Sequence, residues 1–191
     1  DREKVNPAFE AVKLLPDTIA GAQIVKLEVP TQFVRAGEVL EAAMAEHKPD
    51  VVICVGQAGG RAAITPEKVA INLMDGRIPD NAGYQPVDVP IRADGPAAYF
   101  ATLPVKAMVQ RMQDAGIPAA VSYTLLFLID RKFPSVRGGF IHVPYAMEQA
   151  VNKPLGTPSM DLRQISRGLE KAVEAVVICG RDTAVPMGTT H

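Results

Sequence analysis

At 191 residues and 20.4 kDa the chain has the size of one ordinary domain, which disfavours a two-domain organisation. Hydrophobic residues make up 48%, which disfavours disorder, and 20 basic residues against 21 acidic ones disfavour a general nucleic-acid binder. No apolar run approaches the roughly 18 residues of a membrane span, DREKVNPAF is not a signal peptide, and neither Cys54 nor Cys179 has a CxxC partner, so we expect a soluble, cytoplasmic protein without disulfides.

Asn6-Pro7 supplies an N-cap and an N1 residue, so the first helix is expected there, with Phe9, Val12 and Leu15 on its apolar face and Glu10 and Lys13 wet. Residues 24–29 alternate apolar and polar and predict a strand ending at the turn Pro30-Thr31. An amphipathic helix follows over 34–47. Residues 50–55 are a continuous β-branched run, the pattern of a strand buried on both faces, and we expect it at the sheet centre.

A shorter strand is expected over 69–73. The turn chemistry from Arg77 to Gly83 then opens a long Pro-rich loop, of a kind that often carries function. Gly95-Pro96 and Leu103-Pro104 each start a helical segment, the second presenting Val105, Met108, Val109 and Met112 on one face. Strands over 119–123 and 139–143 flank a helical pattern over 125–133, and the last helix spans 161–177. The alternation predicts one domain over residues 1–191: a single-domain three-layer α/β/α sandwich with a mostly parallel or mixed central sheet, its strand order left open.

Three places hold possible chemistry. Gly56-Gln57-Ala58-Gly59-Gly60-Arg61 follows the apolar strand directly, where open α/β sheets bind ligands. It lacks the Gly-Lys-Ser/Thr of a phosphate loop and the GxGxxG of a dinucleotide site, whereas Gln57 has an amide donor and acceptor to pair with a neutral amide. A tight turn with a surface glutamine is the plainer alternative. Glu67 precedes the strand at 69, and Arg77 lies past its far end; taken alone, Glu67 reads as a solvated charge. His142 sits near the end of an apolar strand, as a general base above a sheet would, or as a satisfied core histidine. His47, at a helix C-terminus, and His191 are weaker candidates.

The blocks VGQAGGRAAITPEKVAINL, DGRIPDN, GPAAYFATLPVKAM, GIPAAVSYT and RGGFIHVPY occur in this order and resemble those of the pyrrolidone-carboxyl peptidase family, also called pyroglutamyl peptidase I. The resemblance runs from near Asn6 past His142 and, more loosely, through the last helix. It implies a cytoplasmic, homotetrameric cysteine peptidase that removes an N-terminal pyroglutamyl residue from peptides. A Cys-His-Glu triad is implied, with no metal or cofactor; composition and hydropathy separately lead us to expect no nucleic-acid or membrane partner. By resemblance the triad histidine falls on His142 and the glutamate on Glu67. The substrate-side glutamine falls on Gln57, the arginine near the reacting carbonyl on Arg77, and pocket-lining positions on Asn6 and Thr31.

One departure bears on the chemistry. The family's nucleophile lies in a block resembling A-G-T-[FY]-x-C-N-H directly after SYT, here Ser122-Tyr123-Thr124, and this sequence has no such block. Thr124 meets Leu125-Leu126-Phe127 at once, although strand-to-helix joins usually take about 2 to 6 residues with turn chemistry. We therefore expect a loop carrying the nucleophilic cysteine to belong between Thr124 and Leu125. The family's opening strand and its G-F-x-P-F-G-G loop are expected ahead of Asp1. Cys54 and Cys179 read as inert core thiols. A true deletion would instead leave a catalytically inactive α/β binding protein. A phosphorylase-like enzyme acting on nucleosides would rest only on the Gly-rich turn and fold analogy.

Overall fold

The computed structural model describes residues 5–121, 133 and 135–187. Helix α1 (Pro7–Lys13) begins where Asn6 leaves extended backbone and its side-chain oxygen accepts the Ala8 N–H at 3.2 Å, with Pro7 at the first helical position. Its buried face is Ala8, Ala11 and Leu15, whereas Phe9 and Val12 are only partly covered. The expected helix is there, rotated so that small residues meet the core. This permits α1 to lie close to α5 (Leu162–Ile178).

Strands β1 (Thr18–Ile19) and β2 (Ala22–Gln23) form a short hairpin through Ala20 and Gly21, both with positive φ, which matches the twist of a two-residue hairpin turn. The strand expected over 24–29 is absent: pairing is completed before it. No ladder covers Val25, Leu27 and Val29, which remain exposed, while Ile24 packs on the core. Helix α2 (Arg35–His47) follows as expected and stops at Lys48 in the left-handed conformation.

The central sheet is mixed. Strand β3 (Val51–Gln57) runs parallel to β7 (Arg137–Val143) in a seven-residue register, and β4 (Thr65–Pro66) pairs antiparallel on the other side of β7. Among the described residues β7 is therefore central and β3 lies at an edge, half-buried along its length, which corrects its expected central position.

Strand β5 (Val69–Ile71) pairs with β6 (Ala98–Phe100), so the first of the two helices expected after Gly95 is a strand. The Asn72 side chain accepts the Arg92 N–H and donates to the Arg92 carbonyl, drawing the chain back against β5, and ladder pairing overrides the local helical pattern. Helix α3 (Val105–Asp114) buries Val105, Met108, Val109 and Met112 as expected. Strand β8 (Tyr145–Ala146), helix α4 (Met147–Ala150) and strand β9 (Ser159–Met160) lead to α5, whose N-cap Asp161 accepts the N–H groups of Arg163 and Gln164. Residues 119–121 hold one parallel bridge, Ala119 with Ile64. The remainder of that expected strand, the helix at 125–132 and the Thr124–Leu125 junction lie outside the described residues, and Phe133 is not helical.

The core lies between the sheet and helices α1, α3 and α5. Its deepest side chains are Ile64, Met108, Met112, Ile141, Ile165 and Leu169. Among the described residues no helix is long and apolar enough to cross a membrane.

Candidate active site

The parallel pairing of β3 with β7 brings their carboxyl ends together, with Gly56 opposite His142 and Gln57 opposite Val143. The chain then turns outward, the Ala58 N–H donating to the Val143 carbonyl at 2.9 Å. Glycine at position 56 is required by packing: a Cβ there would stand 2.5 Å from the Phe140 ring. That ring lies beside the His142 imidazole, centroids 4.5 Å apart, and forms one wall for it.

Glu67 reaches the same place from the other side of β7. Thr65 pairs with His142, and the Glu67 N–H donates to the Phe140 carbonyl at 2.9 Å, which aims the glutamate side chain at the imidazole. The carboxylate is 3% exposed, so the solvated charge expected from local sequence is in fact a buried one. Its Oε1 lies 2.6 Å from His142 Nδ1 and 3.0 Å from Arg61 Nη1. Arg61 Nη1 also donates to the Thr65 hydroxyl.

An oxygen that accepts from a guanidinium is the acceptor toward the imidazole as well, so Nδ1 carries a proton, and in the neutral ring the lone pair falls on Nε2. A buried carboxylate requires charge partners, and Arg61 with the imidazole N–H supplies them. The result is a histidine, 19% exposed, whose neutral form is held in one tautomer.

Gln57 was expected to offer both a donor and an acceptor. Its Oε1 already accepts from Gln149 Nε2 at 2.9 Å. Gln149, 8% exposed, in turn accepts the Ala146 N–H and donates to the Val5 carbonyl. Asn6, next to Val5, spends its side-chain oxygen on capping α1. Gly59 packs against Tyr145, whose ring would have to shift for a Cβ at this position.

Thr31 and Arg77 lie on two exposed loops tied to each other. The Asn81 N–H donates to the Thr31 carbonyl at 3.1 Å, Asp80 accepts the Phe33 N–H at 2.9 Å, and the Phe33 and Tyr84 rings meet edge to face at 6.0 Å. Among the described residues, no hydrogen bond links Thr31 or Arg77 to the Glu67–His142 pair. His47 closes α2.

Burial pushes the Cys54 thiol up to about 11, which makes it a poor nucleophile, and Cys179 caps the C-terminus of α5. Among the described residues no group of three or more His, Cys, Asp or Glu side chains is placed to hold a metal ion. Sequence reading missed Arg61 and Gln149. Arg61 ends the Gly-rich turn six residues before Glu67, which is a signal only once the turn is known to fold back; Gln149 lies in a helix too short to show periodicity.

A buried carboxylate locked onto a strand-end imidazole in an α/β protein is the geometry in which hydrolases that work through a nucleophile hold a base and its orienter. The model of the pyroglutamyl peptidase family matches residues 1–178, and the chain belongs to that family. It is 52% identical to the pyrrolidone-carboxylate peptidase of Streptococcus pneumoniae strain 70585 and 53% identical to that of Enterococcus faecalis, each match covering 99% of this chain and 94% of the relative. Pyroglutamyl peptidase I from Bacillus amyloliquefaciens superposes with a TM-score of 0.91 at 43% identity, over 97% of this chain and 94% of that one. The pyrrolidone carboxyl peptidase of Thermococcus litoralis gives 0.90 at 35% identity with the same coverage.

Proposed function

We propose that the chain is a cysteine exopeptidase that hydrolyses the amide bond after an N-terminal pyroglutamyl residue, through an acyl-enzyme. The observation that carries this reading is the 2.6 Å contact of His142 Nδ1 with the buried Glu67 carboxylate at the carboxyl end of β7, in a chain of this family. His142 Nε2 takes the proton of a cysteine thiol, and the thiolate attacks the carbonyl carbon that joins pyroglutamate to the next residue. Glu67 holds the imidazole and stabilises its charged form. Arg77 and backbone N–H groups donate to the oxyanion. As the tetrahedral intermediate collapses, His142 returns the proton to the leaving amine. Water, deprotonated by His142, then releases pyroglutamate and regenerates the thiol.

Neither Cys54 nor Cys179 suits the nucleophile's part, so we assign it to a segment between Thr124 and Leu125. The match to the Streptococcus pneumoniae relative spans 202 residues, more than the 191 of this chain, so that relative carries residues without a counterpart here. Gln57, Asn6 and Thr31 line the pyroglutamyl pocket in this reading. The chain acts as a single peptidase domain over residues 1–191, in the cytoplasm, as a homo-oligomer that family resemblance makes a tetramer. Two free thiols accord with a reducing compartment.

The test is hydrolysis of a pyroglutamyl-linked chromogenic amide by the full protein. We expect turnover that iodoacetamide abolishes and EDTA leaves unchanged. Turnover lost with EDTA or untouched by iodoacetamide overturns the thiol mechanism. Absence of turnover together with retained binding of pyroglutamate points to the inactive binding protein.

A further inference from the structure

The two ends of a glutamine amide differ only in what they bind, and at Gln57 the surroundings settle which end faces which way. The Ala146 N–H can only donate, and it lies 2.9 Å from one amide atom of Gln149, which must therefore be Oε1. The Val5 carbonyl can only accept, and it lies 3.3 Å from the other, which must be Nε2. Two main-chain groups, one at each end, thus fix Gln149 in a single orientation. Reversing it would set a donor against a donor and an acceptor against an acceptor inside a side chain only 8% exposed. Gln149 Nε2 then reaches Gln57 at 2.9 Å, so the Gln57 atom on that side is its oxygen. The Gln57 Nε2, with two N–H groups, is the end turned away from Gln149.

We propose that Gln149 is a positioning residue that sets the polarity of Gln57, so that Gln57 meets the substrate as a hydrogen-bond donor to the ring carbonyl of pyroglutamate. This rests on the pyroglutamyl-peptide reading and deepens it. A prolyl residue, with a methylene where pyroglutamate has its carbonyl, leaves the Gln57 amide without a partner, and that is the discrimination the arrangement produces.

The experiment measures KM and kcat on a pyroglutamyl chromogenic amide with the full protein. In Gln149→Glu one carboxylate oxygen still accepts the Ala146 N–H, while the second accepts from Gln57 and turns that amide round. Gln149→Met removes the contact altogether and serves where a buried carboxylate prevents folding; melting temperatures report which variants are folded. We expect KM to rise about tenfold or more in either variant while kcat stays within about threefold, the signature of lost ground-state binding. We further expect Gln149→Glu to add less than about twofold on a Gln57→Ala background, because residues acting through one another are not additive.

Wild-type KM in a folded Gln149 variant, or full multiplication of the two effects in the double variant, overturns the assignment while leaving the peptidase reading intact. A wild-type protein that neither cleaves the amide nor binds pyroglutamate overturns both.

Discussion

Glu67 and His142 each depend on the other for the state in which they are useful. A carboxylate 3% exposed persists in ionised form only with partners, and the imidazole and Arg61 converge on a single oxygen. The imidazole in return gains a fixed tautomer. If, as we propose, the histidine transfers the proton while the glutamate only orients it, His142→Ala should lower kcat by about a hundredfold to ten-thousandfold, and Glu67→Gln should leave the greater residual activity. Single-turnover rates of the two variants check this order; a His142→Ala protein as fast as wild type removes His142 from the mechanism. Both residues were legible in the sequence because they fall in blocks with recognisable order. Arg61 was not, since its side chain comes to Glu67 only once the chain after β3 has turned back to β4, which local sequence does not announce.

Elements were legible where their own residues set their boundaries. Asn6-Pro7 opened α1 and Asp161 opened α5, because capping is local. Two expectations failed where pairing was not local: the strand at 24–29 lost its place to the hairpin at Ala20-Gly21, and the segment after Gly95 joined β5 as β6. Helix α5 meets the core through Gly168, where a Cβ would stand 2.3 Å from Ile64 Cδ1. Gly168→Ala should therefore destabilise the protein by about 1–3 kcal/mol, read as a lowered denaturant midpoint, and an unchanged midpoint would show that Ile64 repacks without cost.

The two exposed loops that carry Thr31 and Arg77 are joined at Asp80. N–H groups of Phe33, Tyr84 and Ala82 hold its carboxyl below the usual carboxylate value, the Phe33 bond most of all. A depressed folded-state pKa means that the clamp is fully present above the ordinary carboxylate range and is lost as pH falls through the folded value. Amide exchange at Phe33 and Tyr84 should accordingly be slow at neutral pH and should quicken in Asp80→Ala. Equal protection in the variant would detach Asp80 from loop order.

Across the whole molecule the sheet places imidazole and carboxylate together from segments 75 residues apart in sequence, which periodicity alone does not convey. Strand order was illegible for the same reason: nothing in the β7 sequence announces that β3 lies on one side and β4 on the other. The thiol-peptidase reading we propose calls for a nucleophile, and Cys54, its thiol pushed up by burial, is unsuited to the part. The most direct measurement is mass-spectrometric mapping of the iodoacetamide-inactivated protein. The label should fall on a cysteine in a peptide inserted between Thr124 and Leu125, within a protein heavier than 20.4 kDa. A 20.4 kDa protein whose Thr124 and Leu125 are joined directly in one unlabelled peptide would contradict the account.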